Sequence, residues 1–97
     1  MRALLAAVAL FAAAPAFAQA PATSAILVDA AQAPTGRVIV DGATWRCEGD
    51  ACTATGGSNQ PATRACRRVV AKLGPVTSFS YKGQALSAEE VAACNAG

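Results

Sequence analysis

The sequence predicts a small disulfide-stapled α+β domain in which an antiparallel β-meander packs against two helices on one face. Three observations support this fold class. Four cysteines follow an export-type leader, two glycine-containing turns separate runs of strand-forming residues, and two later segments carry apolar residues at helical spacing. A chain of 97 residues is long enough for one domain at most.

The first 18 residues have the layout of a secretory signal peptide. Arg2 gives a positive start, residues 3–14 are apolar, and residues 16–18 form an A-x-A cleavage site. The apolar run is shorter than the roughly 20 residues that a membrane-spanning helix needs. We expect cleavage after Ala18, which leaves 97 − 18 = 79 residues, net charge +1 and no transmembrane segment.

Residues 19–36 are rich in alanine and proline and are predicted to form an N-terminal segment ahead of the α+β domain, which covers residues 37–97. The segment contains one apolar island, residues 25–28. We expect this island to form an edge strand, and disorder is the alternative.

Two hairpin signals predict a three-stranded meander. Residues 38–40 are β-branched, Asp41-Gly42 favours a two-residue turn, and residues 48–51 form a second tip. The turns set the cross-strand pairs Val40 with Ala43, Ile39 with Thr44, Val38 with Trp45, Arg46 with Thr53, and Cys47 with Cys52. This register gathers Trp45 and both cysteines on one apolar face, so we interpret Trp45 as a core residue.

Two helices are predicted beyond the meander. The first begins near Pro61 and ends at Leu73, because proline suits a first turn and Gly74-Pro75 supplies a stop. An extended stretch, residues 76–86, follows it. Ser87-Ala-Glu-Glu90 is a capping box that opens a second, short helix.

The four cysteines are predicted to form two disulfides, as is usual in a small exported domain. Four cysteines allow three pairings. Cys47 and Cys52 are neighbours across a hairpin tip, whereas Cys66 and Cys94 lie on the apolar faces of the two helices. We therefore predict the pairs Cys47–Cys52 and Cys66–Cys94.

The residue types present argue against catalysis. The chain has no histidine, which removes Ser-His and Cys-His nucleophiles and histidine metal ligands. The C-x₄-C spacing fits neither the C-x₂-C pairs of zinc sites nor a thioredoxin-like motif. The sequence thus predicts no catalytic residue, no cofactor and no metal ligand, and a thiol-redox factor is the least favoured function.

One charged surface is a candidate binding site. Four cations lie opposite or beside the apolar stripe of the first helix, and no acidic residue of that helix offsets them: Arg64, Arg67, Arg68 and Lys72. Such a face suits an anionic envelope polymer, acidic lipid headgroups or an acidic partner, while the alternative is a solvated basic face. The small net charge gives no reason to expect a nucleic-acid partner.

An ordered set of short motifs carries a family resemblance across residues 38–95. The set comprises W-x-C-E-G-x-x-C from Trp45, C-R from Cys66, G-P-V-x-x-F from Gly74, G-x-x-L from Gly83, and C-N from Cys94. The sequence resembles a family of small, uncharacterised, signal-peptide-bearing proteins from alphaproteobacteria. The resemblance implies export to a periplasm and a cysteine-bearing α+β domain, and it brings no activity or functional residue.

These observations lead to one main functional hypothesis and one alternative. The main hypothesis is an exported, non-enzymatic structural or interaction protein of the cell envelope, periplasmic or extracellular. The alternative is a small binding module or inhibitor that acts through the tip at residues 48–51 or through the basic helix face. The sequence does not identify a partner, and the kinds we expect are an envelope component or another protein.

Overall fold

The computed structural model of the protein describes residues 22–97. The predicted signal peptide, its cleavage site and the start of the predicted N-terminal segment lie outside these residues. Within residues 22–97, no helix combines the length and the apolar character needed to cross a membrane.

Six antiparallel strands form one sheet, and two helices pack on one of its faces. The strands are β1 (Thr23–Leu27), β2 (Val38–Val40), β3 (Ala43–Glu48), β4 (Ala51–Gly56), β5 (Val76–Tyr81) and β6 (Gln84–Ala85), and the helices are α1 (Ala62–Leu73) and α2 (Ala88–Ala96). The strand order is β2-β3-β4-β1-β5-β6. A single 3₁₀ turn, Ala30–Gln32, follows β1. The predicted disulfide-stapled α+β class is confirmed.

β1 lies in the middle of the sheet, where it pairs with both β4 and β5. The prediction of an edge strand is therefore wrong, and the strand is part of the same sheet as residues 37–97. Ala25 and Leu27 are buried beneath the helices. Pairing with β5 joins residues more than fifty positions apart, such as Ser24 and Ser80. Local turn signals cannot predict a strand partner at that distance in the sequence. The edges of the sheet are β2 and β6.

β2, β3 and β4 form the predicted meander in the predicted register. Val38 lies opposite Trp45, and Cys47 lies opposite Cys52. In the first turn Asp41 and Gly42 have φ of 48° and 82°. Positive φ at both central residues gives a turn whose twist matches the flanking strands, which is why the Asp-Gly pair forms a tight hairpin here.

The helix boundaries follow local signals. Pro61 is the N-cap of α1, one residue before the first helical residue, and Gly74 ends the helix with φ of 98°. Ser87 and Glu90 form the predicted capping box of α2: the Ser87 hydroxyl accepts from the Glu90 N–H, and the Glu90 carboxylate accepts from the Ser87 N–H. Leu86 returns beside Phe79, to whose carbonyl it donates a backbone hydrogen bond of 3.0 Å.

The core lies between the sheet and the helices and is centred on Trp45, which is fully buried. The Trp45 ring stacks on Phe79 at 6.1 Å between centroids, and Phe79 stacks on Tyr81 at 6.4 Å. Tyr81 donates a 2.6 Å hydrogen bond to the Ser58 carbonyl, so its hydroxyl is satisfied. These aromatic residues pack in the core, as predicted for Trp45.

The disulfides join the cysteines in the pairs expected from sequence. Cys47–Cys52 spans the β3–β4 hairpin with Cα atoms 4.0 Å apart, and Cys66–Cys94 joins α1 to α2 with Cα atoms 6.0 Å apart. The second bridge is buried. It fixes the packing of the two helices against each other.

Asn95 ties the end of α2 to the start of β5. Its Oδ1 accepts a 2.9 Å hydrogen bond from the Val76 N–H, and its Nδ2 donates a 2.7 Å bond to the Val76 carbonyl. One side-chain amide thus satisfies both backbone groups of a buried residue at the point where the chain leaves α1.

Candidate functional site

The outward face of α1 presents the four cations that the sequence singled out. Arg64, Arg67, Arg68 and Lys72 are all exposed, whereas the opposite face of the helix is buried in the core. The helix is held from beneath by the Cys66–Cys94 bridge. The cations therefore project from a firmly anchored element.

Arg68 differs from the other three because it forms an ion pair with Asp41 of the β2–β3 turn. Its Nε and a terminal nitrogen donate to the two carboxylate oxygens at 3.1 and 3.2 Å. These hydrogen bonds, together with one from Gln60, lower the pKa of Asp41 below its ordinary value. The sequence did not indicate this pairing, since the two residues lie 27 positions apart. Arg68 is thus engaged within the fold.

The remaining cations, Arg64, Arg67 and Lys72, have no carboxylate within 4.0 Å in the part of the chain that the structure describes. Arg64 lies in the first turn of α1, where acidic side chains are normally favourable. The N-cap, Pro61, supplies no side-chain hydrogen bond. The first turn of α1 therefore carries one positive charge, Arg64, at the end of the helix where negative charge is the stabilising kind.

An open groove of about 570 Å³ runs between α1 and the edge strand β2. Its lining mixes cationic and apolar residues with one acidic residue, Asp41, which is paired with Arg68: Ile39, Val40, Asp41, Arg67, Arg68, Ala71, Lys72 and Gly97. Ile39 is 66% exposed, the highest value among the large apolar residues described. It lies opposite Thr44, so its side chain is on the sheet face away from the helices and borders the groove at the strand edge. The groove thus combines positive charge with uncovered hydrophobic surface.

The backbone of Ile39 is also free to pair. Val40 and Ala43 close the two-residue hairpin, so the Ile39–Thr44 pair is the non-hydrogen-bonded one. The N–H and C=O of Ile39 consequently point away from β3 at the edge of the sheet. Edge strand β2 thus offers one outward-pointing backbone N–H and one outward-pointing C=O, both from Ile39, next to the cationic face of α1.

The tip of the second hairpin, residues 48–51, is exposed but held in place. The Cys47–Cys52 bridge lies directly behind it, and the Leu27 N–H donates a 2.8 Å hydrogen bond to the Asp50 carbonyl. Glu48 and Asp50 share this tip. Across residues 22–97, no three acidic, histidine or cysteine side chains come together in a way that would hold a metal ion.

The sheet face away from the helices carries a row of polar side chains that the sequence analysis did not identify. Arg46 lies opposite Thr53, Thr53 opposite Ser24, and Ser24 opposite Ser80. A shallow pocket of about 390 Å³ on this face is lined by Arg37, Thr44, Arg46, Thr53, Ala54 and Thr55. The sequence did hold one indication of this polar face: β4 and β5 each carry hydroxyl residues two positions apart, and alternate residues of a strand share a face.

Comparison with known proteins adds a family. A model of a family of unknown function, DUF8200, matches residues 5–96, nearly the whole chain. The chain belongs to this family. No curated protein and no solved structure matches it. The family description agrees with the resemblance to an uncharacterised group, while the alphaproteobacterial origin and the motif set remain predictions.

In this DUF8200 member the exposed cations of the α1–β2 groove can donate hydrogen bonds to an anionic group. Arginine guanidinium groups donate paired hydrogen bonds to carboxylates, and lysine adds a flexible positive charge. All four cysteines are held in disulfides, so none is a free thiol. The groove offers recognition of an anionic group beside an apolar one.

Proposed function

We propose that the protein is an exported, non-enzymatic interaction protein of the cell envelope that binds an acidic segment of a partner protein in the α1–β2 groove. The observation that carries this proposal is the groove itself, which sets Arg67 and Lys72 beside uncovered apolar surface at Ile39 and Ala71. Arg64 extends the positive potential along the same helix face.

The mixed lining favours a protein over the other anionic partners considered. An acidic polypeptide supplies carboxylates for the cations and apolar side chains for Ile39 and Ala71. It also supplies backbone groups that can pair with the outward N–H and C=O of Ile39, as in strand addition. A lipid headgroup or a polysaccharide would leave these backbone groups without a strand partner.

Export is supported by the leader-like first 18 residues and by the two disulfides, which are typical of oxidising compartments. N-terminal sequencing of the protein recovered from its native envelope tests this part. We expect a mature start at Gln19 and no alkylation of cysteine before reduction. Recovery with an intact Met1 and free thiols would contradict export.

The binding proposal is tested by affinity capture of the tagged, exported protein from its native envelope at low salt. The test variant is Arg64→Glu/Arg67→Glu, which leaves the Arg68–Asp41 ion pair intact. The matched control is Arg46→Glu/Arg37→Glu, which reverses as much charge on the opposite side of the sheet. We expect a stoichiometric protein partner that the wild type and the control retain and that the test variant loses. A partner retained equally by all three proteins would exclude the groove.

A second candidate, an inhibitor or binding module that acts through residues 48–51, is favoured by one observation: the tip is braced by a disulfide and by the Leu27–Asp50 hydrogen bond. Rigid display lowers the entropy cost of binding. The variant Glu48→Ala/Asp50→Ala separates the two candidates. Loss of the captured partner from this variant, with retention by Arg64→Glu/Arg67→Glu, would assign the function to the tip.

A further inference from the structure

The face of the sheet opposite the helices holds two arginines side by side. Arg37 precedes β2 by one residue, and continuation of the Val38–Trp45 register places it opposite Arg46. Both side chains line the same two shallow pockets on this face, and Glu48 lines the second pocket with them, so the pair keeps a net positive charge of one there. Like charges directly opposed across two strands destabilise a sheet. An anion placed between the two guanidinium groups would offset this repulsion.

The arginines stand at one end of a row of hydroxyl groups. The row runs from Arg46 through Thr53 and Ser24 to Ser80 across four adjacent strands. At the usual strand spacing it extends over about 14 Å. Thr44 and Thr55, a directly opposed pair, add two hydroxyls alongside. The site is therefore elongated, with its positive charge at one end.

These hydroxyls are largely available to a ligand. Ser80 donates a 3.3 Å hydrogen bond to the Ala22 carbonyl. The side chains of Thr44, Thr53 and Thr55 make no hydrogen bond to another residue within 22–97, and Thr53 and Thr55 are exposed. A threonine hydroxyl both donates and accepts. It therefore suits a ligand whose own groups are hydroxyls.

We propose that this face binds an acidic saccharide chain, with a sugar carboxylate held between Arg37 and Arg46 and sugar hydroxyls paired along the Thr53–Ser24–Ser80 row. The charge complementarity selects an anion, and the hydroxyl row selects a polyhydroxylated one. Ile39 lies opposite Thr44 at the margin of this face and outside the row, and one exposed apolar side chain is a small contact for a lipid surface. A sheet face offers no free backbone groups, so an extended peptide fits it poorly as well.

The proposal is independent of the α1–β2 groove, because none of the arginines and hydroxyl residues of this face lines that groove. The nearest approach of the two surfaces is at Ile39, which lines the groove and lies opposite Thr44. Each surface therefore supplies a charge-matched control for the other. Failure of saccharide binding would leave the groove proposal unaffected, and loss of the protein partner would leave this proposal unaffected.

The test is titration of the mature protein with oligogalacturonate, followed by calorimetry and by amide chemical shifts. We expect shifts at Ser24, Arg46 and Thr53 and none along α1. Arg37→Gln/Arg46→Gln should weaken binding about tenfold or more, about 1.4 kcal/mol of binding free energy, because both guanidinium groups that hold the sugar carboxylate are lost. Arg64→Gln/Arg67→Gln, the matched control, should bind as the wild type does.

Two further arms identify the ligand class. Thr53→Val keeps the side-chain shape and removes one hydroxyl. It should weaken oligogalacturonate binding while the amide spectrum remains that of a folded protein. Inorganic phosphate and anionic phospholipid vesicles should not compete. Four results overturn the proposal. They are loss of oligogalacturonate binding in phosphate, transfer of binding to the vesicles, binding that persists without both arginines, and no binding by the wild type.

Discussion

Single side chains in this protein form hydrogen bonds that join distant parts of the chain. Asn95 satisfies both backbone groups of Val76, and Asp41 receives hydrogen bonds from Arg68 and Gln60. Neither role was predicted from the sequence. A turn aspartate and a helix-end asparagine have ordinary local explanations, and the sequence does not reveal which residue comes to lie beside them once the chain is folded.

Replacement of Asn95 by aspartate should destabilise the fold. The variant keeps the acceptor for the Val76 N–H but loses the donor to the Val76 carbonyl, and a carboxylate oxygen then faces that carbonyl. We expect the free energy of unfolding to fall by about 1–3 kcal/mol in urea denaturation. The same change at the exposed loop residue Asn59 should have little effect. Equal effects at both positions would show that the amide bridge contributes nothing.

The Asp41–Arg68 pair should make stability depend on acid pH. Folding lowers the pKa of Asp41 from its ordinary value of 3.8, because Arg68 and Gln60 donate hydrogen bonds to the carboxylate. A carboxyl with a lowered pKa stabilises the folded state above its ordinary pKa, and this contribution is lost as pH falls through the folded value. Asp41→Asn keeps a residue that tolerates positive φ. Wild type should be the more stable at neutral pH, and the difference should vanish in strong acid.

Denaturation of the two proteins at neutral pH and well below pH 3.8 measures this difference. Arg68→Gln removes the other partner of the ion pair, so this variant should also be less stable than the wild type at neutral pH. A stability difference that persists unchanged in acid would mean that Asp41 acts through the turn geometry and not through its charge.

At the level of helices and strands, local signals were sufficient for much of the fold. The Asp41-Gly42 turn fixed the register of the meander, and the capping box and Gly74 set helix ends where the structure has them. Each of these features depends on residues within a few positions of one another. The position of β1 depends on partners far away in the sequence. Local signals therefore predicted an edge strand, whereas β1 lies in the middle of the sheet.

The two disulfides should differ in their contribution to stability. Cys66–Cys94 spans 28 residues and Cys47–Cys52 spans 5. On chain-entropy grounds, removal of the long-range bridge by Cys66→Ala/Cys94→Ala should cost about 3.5 kcal/mol, and removal of the hairpin bridge by Cys47→Ala/Cys52→Ala about 2 kcal/mol. Urea denaturation of the oxidised proteins compares them. The reverse order would show that strand register, not helix packing, limits stability.

The molecule as a whole has two surfaces of different character, one between α1 and the sheet edge and one on the sheet face away from the helices. The α1–β2 groove combines cations with apolar surface, and the opposite face combines paired arginines with hydroxyls. The cations of α1 were predicted as a face from helical spacing. The second surface was missed because it assembles from β1, β3, β4 and β5, and the central position of β1 was not known.

The central position of β1 predicts which truncations fold. A chain that begins at residue 19 retains the strand and should unfold cooperatively. A chain that begins at residue 28 lacks β1, which separates β4 from β5 and uncovers core that Ala25 and Leu27 bury. We expect that second chain to lose amide dispersion in NMR spectra and cooperative unfolding. Cooperative unfolding of the shorter chain would show that β1 is dispensable.

The claim that the protein binds a partner in the α1–β2 groove is tested most directly by site-specific photo-crosslinking in living cells. A crosslinking amino acid at Ala71, an exposed residue that lines the groove, reports contact there, and the same residue at exposed Ala92 on α2 is the matched control. We predict one discrete protein adduct from position 71, its loss in the Arg64→Glu/Arg67→Glu background, and no such adduct from position 92. No adduct from position 71, or the same adduct from both positions, would contradict the claim.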